Sequence, residues 1–165
     1  MPGSHSLPRI VVLAKPARIL PRSLLAALIA LGIGDVPAQD PSSHQGQRLF
    51  DSYCSACHQY DDQGMGEAPP LDGAPWVVGP AERLIRIVLH GVKGRMVVAG
   101  KEYDREMPGF GRVLSNSEVS AVATYVRARF GSATAPVSEA EVQRVREEHL
   151  GRTSYWQADE LLELR

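Results

Sequence analysis

Cys54-Ser55-Ala56-Cys57-His58 holds both cysteines of the chain, three residues apart, with a histidine directly behind the second. On one helical turn two positions at that spacing project to the same side, so the sulfurs present themselves together and His58 stands beside them. Several chemistries use such a pair. A thiol–disulfide exchanger wants a βαβ framework around it, which the flanking patterns do not supply. A zinc site wants a second Cys or His pair at ligand spacing, which is also missing. A plain structural disulfide is open to any lone thiol pair in an oxidising compartment.

The remaining reading is covalent attachment of haem, for which C-x-x-C-H is the signature. Both sulfurs add to the two vinyl groups on one edge of a porphyrin, and His58 beneath the ring offers a nitrogen to iron. Composition agrees with this reading. The chain has 165 residues, 44% hydrophobic and 22% charged, the balance of an ordinary globular domain. Aromatics are only 6%, against 15 Gly and 12 Pro, so a core of protein side chains alone would be thin, and a porphyrin would fill it. The formal charge is −1 with no basic block, which gives a nucleic-acid partner no electrostatic support.

Upstream, Arg9, Lys15, Arg18 and Arg22 precede an uncharged apolar stretch over 24–34, and Val36-Pro37-Ala38 offers small residues behind it. That is the layout of a secretory signal, with cleavage expected after Ala38 and delivery to the periplasm. An uncleaved anchor is the alternative, but the stretch falls short of the ~20 residues a spanning helix needs.

Beyond the signal, a helix over 42–57 leads into the cysteines, with Ser42 or Ser43 as its cap. Residues 61–79, with Pro69, Pro70 and Pro75, read as a long loop without regular structure. Pro80 opens a second helix with Leu84, Ile85, Val88 and Leu89 on its apolar side, ending at Gly91. Gly91, Gly94 and Gly100 bracket a short extended segment over 96–99, and Met107-Pro108-Gly109-Phe110 reads as a turn. Ser115 to Glu118 is a capping box for a third helix with Val119, Val122, Ala123, Val126 and Phe130 on one face, stopped by Gly131. Ser138 to Glu141 opens a charged helix, and Trp156 starts a last turn.

Iron needs a sixth ligand. Met107 sits in a turn stiffened by Pro108 and Gly109, where a thioether can face the ring; methionine favours ferrous iron and raises the reduction potential. Met96 is a rival whose apolar neighbours suit core packing, Met65 follows His58 too closely to reach round the ring, and His90 would give bis-histidine ligation or simply cap its helix. An open sixth position for a gas or peroxide is the remaining alternative.

These residues resemble the class I cytochrome c family over about residues 45–130. The resemblance rests on Gly46 and Phe50 ahead of the Cys54–His58 motif, then Pro69-Pro70-Leu71, His90-Gly91-Val92 and Gly94, Tyr103, Met107-Pro108 and the helix over 119–130. It implies an all-α domain of three helices wrapped around one covalently attached haem c. His58 and Met107 would be the axial ligands, the Pro69 carbonyl would accept the other ring N–H of His58, and Leu71, Tyr103, Trp76, Leu84 and Val88 would be pocket or core residues. Gly46 would let the first and last helices cross closely, with Phe50 against Val122 and Tyr125.

The expected organisation is a signal peptide over 1–38, a cytochrome domain over 39–132 and a C-terminal helical extension over 133–165. The extension resembles those of cytochrome modules of membrane-bound or quinoprotein dehydrogenases. Tyr155-Trp156 within it would either pack back on the domain or dock a partner. Expected partners are a dehydrogenase as electron donor and an oxidase or another cytochrome as acceptor, with a membrane involved only through them or through an uncleaved signal. One-electron transfer without catalysis is the function this implies. The alternative is a haem enzyme or a gas or redox sensor with an exchangeable sixth ligand, although no distal His and Arg pair is spaced for peroxide cleavage.

Overall fold

The structure, a computed structural model, describes residues 41–58, 68–133 and 135–163, the first three of them by backbone alone. All lie in one unit of the chain, Gln39–Arg165. The expected signal, Met65 and the acidic residues Asp61, Asp62 and Glu67 fall outside the described residues. In chain order the elements are α1 (Pro41–Tyr53), α2 (Ser55–His58), α3 (Pro75–Val78), α4 (Ala81–His90), β1 (Gly91–Lys93), β2 (Met96–Val98), β3 (Lys101–Tyr103), β4 (Met107–Pro108), α5 (Asn116–Phe130), α6 (Glu139–Glu148), β5 (Trp156–Gln157) and α7 (Ala158–Leu162). Among the described residues no helix is long and apolar enough to cross a membrane.

The crossing of α1 and α5 organises the core. A Cβ on Gly46 would collide with the Ala121 carbonyl and with Tyr125, so only glycine lets the two backbones approach this closely. One turn on, the fully buried Phe50 meets Tyr125 and Phe130 with ring centroids 5.5 and 5.6 Å away, within the range where tilted aromatic pairs attract. The capping box of α5 is complete: Ser115 Oγ accepts from the Glu118 amide at 3.3 Å, and Glu118 Oε2 accepts from the Ser115 amide at 2.8 Å. The buried stripe of α4, with Ile85 fully enclosed, packs against α5.

Helices dominate, but the chain is not all-α. Two small sheets appear among the described residues, one with strand order β4-β1-β5 and one hairpin of β2 with β3. The glycine-bracketed segment does become a strand, as its spacing suggested, because Gly94 and Gly100 turn the chain at positive φ. The three-stranded sheet depends on a pairing between residues 92 and 156 that local pattern cannot disclose. Other differences are local. Helix α1 begins at Pro41, so Ser42 and Ser43 lie within its first turn. Pro80 is the N-cap rather than the first residue of α4. Pro75 starts a helical turn, α3, inside the stretch expected to be irregular. Trp156 is in a strand, and the last turn begins at Ala158.

The C-terminal segment packs back on the domain. Val142 and Val145 of α6 are fully buried in the same core as Val122 and Leu89, and Ser138 Oγ caps α6 by accepting from the Glu141 amide at 3.1 Å. Three arginines fasten the layers through backbone carbonyls. Arg83 donates to Leu161 at 2.8 Å and Pro75 at 3.0 Å, Arg127 to Gly79 at 2.6 Å, and Arg146 to Leu114 at 2.9 Å. Each guanidinium thus ties one segment to the backbone carbonyls of another.

Candidate functional site

The cysteine motif sits where α1 breaks into α2. The amide of Cys54 donates to Phe50 at 2.8 Å and that of His58 to Cys54 at 2.9 Å, so the pentapeptide keeps nearly helical geometry through the break. Both thiols are free, Cys54 half-buried and Cys57 exposed. Burial, with Cys57 adding to it, pushes the Cys54 thiol up to about 11. Among the described residues no group of three or more His, Cys, Asp or Glu side chains gathers as a metal cluster.

His58 is 8% exposed, and its Nδ1 lies 3.3 Å from the Pro69 carbonyl oxygen. With Nδ1–H donating to that carbonyl, Nε2 carries the lone pair and is left for a ligand. Burial lowers the histidine below its ordinary value, the Pro69 bond opposing it in part, so the ring is neutral and competent to coordinate.

Both cysteines and His58 line a cavity of about 690 Å³, within the range of pockets that enclose a small organic ligand. Leu84, Ile87 and Val88 of α4 and Val122 and Val126 of α5 make much of its wall. Of the residues expected there, Pro69, Leu71, Trp76 and Met107 line it, and so does Met96, the rival methionine. His90 and Tyr103 do not. His90 turns to the other side of the fold, its ring 6.1 Å from that of His149, and Tyr103 pairs with Met96 across the β2–β3 hairpin. Arg105 and Glu106 at the cavity carry no sequence signal of their own, whereas Val92 in its wall belongs to the His90-Gly91-Val92 stretch of the resemblance.

The lining itself tests the fit. A large apolar hollow with both cysteines at its wall and a neutral imidazole among its lining residues fits a porphyrin.

Comparison with known proteins agrees. The profile of the family described as cytochrome c oxidase, cbb3-type, subunit III matches residues 41–126. Two proteins named cytochrome c-552 from Thermus thermophilus are similar. One is 30% identical over 139 residues, covering 78% of this chain and 88% of the relative; the other is 32% identical over 115 residues, covering 64% and 86%. The fructose dehydrogenase cytochrome subunit of Gluconobacter japonicus is 32% identical over 110 residues, 61% of this chain but only 22% of that protein. With the motif, the hollow behind it and these relatives in agreement, the chain belongs to the cytochrome c family as a class I c-type cytochrome module, and its cofactor is one covalently attached haem c.

Proposed function

We propose that the protein is an exported mono-haem electron carrier rather than an enzyme, with His58 and Met107 as the axial ligands of iron. The observation that carries this reading is the shared cavity. Two distant stretches, one ending in His58 and one containing Met107, line the same hollow, while His90, the alternative nitrogen ligand, lies outside it. Met96 lines it too, but at 7% exposure it is embedded in the core beside the Tyr103 strand, whereas Met107 is half-buried on a two-residue strand free to present its sulfur.

When bound, the haem supplies a one-electron couple at iron. The chain's own residues set the conditions. Cys54 and Cys57 fix the cofactor covalently, the Pro69 carbonyl holds the His58 tautomer, Met107 closes the sixth position and favours the reduced state, and α1, α4 and α5 wrap the ring and exclude water. With His58 and Met107 both engaged, the chain would leave the bound cofactor no position for a substrate, which suits electron transfer rather than catalysis.

Residues 39–132 form the cytochrome domain in this reading, 133–165 an extension of it, and 1–38 the cleaved signal that delivers the protein to the periplasm, supported by the basic run over 9–22 and the apolar run over 24–34. A dehydrogenase donor and an oxidase or cytochrome acceptor suit a carrier whose relatives include a dehydrogenase cytochrome subunit and the cbb3-type oxidase subunit family. The test is exposure of the reduced holoprotein to carbon monoxide at neutral pH. The expected result is no rapid binding; fast formation of an adduct would favour the enzyme or sensor reading instead. Intact-mass analysis of the exported species is expected to place its first residue at Gln39.

A further inference from the structure

Strand β1 stands between two others, and Val92 is the register partner of both neighbours. It pairs antiparallel with Met107 on β4 and parallel with Trp156 on β5. The backbone that carries Met107 is thus bonded to a strand whose other edge is completed by the C-terminal tail. Strand β4 is two residues long, and so short a ribbon has little stability of its own.

The tail strand is held firmly. Trp156 is 5% exposed, with the Arg152 guanidinium 3.4 Å and that of Arg86 5.0 Å from its ring centroid, and the His149 ring 5.0 Å away. Cations over an indole are among the stronger aromatic contacts, and here they are partly desolvated. Just beyond, Leu161 is fully buried and its carbonyl accepts from Arg83. On the near side, Gly91 holds φ +76, and a Cβ there would strike both the Met107 carbonyl and the Tyr155 ring, so tail, β1 and β4 converge on one glycine.

We propose that Trp156 is a positioning residue for Met107: by anchoring β5 against β1 it braces the strand that presents the methionine, and so governs how readily the sulfur is displaced from iron. This rests on the reading of Met107 as the sixth ligand. Loosening β5 leaves β1 with an unpaired edge, widens the motion of β4 and raises the fraction of molecules in which the sixth position is open.

The test uses the full-length holoprotein and follows the far-red absorption band that reports a sulfur–iron bond while imidazole is titrated in. Trp156→Ala is expected to keep the attached haem but to lose the band at imidazole concentrations at least about tenfold lower than wild type, with faster amide exchange at Val92 and Met107; Trp156→Phe restores most of the resistance. Should Trp156→Ala not accumulate, Trp156→Leu reads the same displacement. Val142→Ala, buried in α6 against α4 and α5, is the control for loss of stability alone. Unchanged imidazole resistance in the Trp156 variants, or an equal loss in a Val142→Ala protein of matched stability, overturns the inference. Met107→Ala separates the two readings. If it leaves the band intact, the ligand assignment fails; if it abolishes the band while the Trp156 variants match wild type, only the bracing role fails.

Discussion

Nδ1 of His58 lies 3.3 Å from the carbonyl oxygen of Pro69, eleven residues further along the chain. This contact orients the imidazole and leaves Nε2 as the atom that can coordinate. Haem attachment rests on Cys54 and Cys57 rather than on this nitrogen. In His58→Gly the haem is therefore expected to remain on the polypeptide, with an iron position that added imidazole fills to recover a near-wild-type visible spectrum. Loss of covalent haem in that variant under full maturation would contradict the division of roles.

The approach of α1 to α5 depends on Gly46 having no side chain. Gly46→Ala forces a methyl into the Ala121 carbonyl and is expected to cost about 1–3 kcal/mol, measured as a lower denaturant midpoint in the haem-loaded protein. Gly151→Ala is the matched control, because a Cβ there meets nothing within 4 Å, and it is expected to be near neutral.

Arg83 ties α7 and α3 to α4, donating from a buried position to the carbonyls of Leu161 and Pro75. Arg83→Met keeps much of the aliphatic bulk but removes the donor to the Leu161 carbonyl, while the Pro75 carbonyl keeps the Gly79 amide. The expected loss is about 1–3 kcal/mol in chemical denaturation, with proteolysis of the C-terminal segment rising first.

How far the sequence reveals this molecule depends on whether the relevant pairing is local. The Ser115–Glu118 box, the α4 stripe and the cysteine motif are written within a few residues each and reappear where the spacing put them, and the Gly46–Phe50 face, implied by the resemblance, is found as well. The sheet of β4, β1 and β5 is different, because its register joins Val92 to residues 15 and 64 positions away, and strands of two or three residues leave no periodicity to detect. Tyr103 was expected at the haem by resemblance; it stands opposite Met96 in the hairpin, half-buried against the core, and does not itself line the cavity. His90 was open as a ligand because a helix-terminal histidine looks alike in sequence whichever way it faces; its contacts with His149 and Trp156 decide that it faces the tail.

The imidazoles of His90 and His149 make the tail acid-sensitive. Burial lowers both below their ordinary value of 6.5; for His90, His149, Arg152 and Arg146 add to the shift, against a backbone bond to Arg152, and for His149, Arg86 and Arg152 add to it against Glu148 and Glu82. The unfolded chain takes up protons near pH 6.5 while the folded chain resists until lower pH. Stability is therefore unaffected by this pair above that value, falls as pH drops through it, and levels off below the folded-state values. His90→Gln with His149→Gln is expected to flatten the decline in urea midpoint between about pH 7 and pH 5; an unchanged slope would contradict the assignment.

Covalent attachment through Cys54 and Cys57 is tested most directly by denaturing the purified protein in acid and organic solvent and recording the pyridine haemochrome and intact mass of the polypeptide. The account predicts that one haem stays with the chain, with a spectrum reporting both vinyl groups converted to thioethers. Haem extracted into the solvent, or a colourless folded chain from a maturation-competent host with both thiols free or joined to each other, would contradict it.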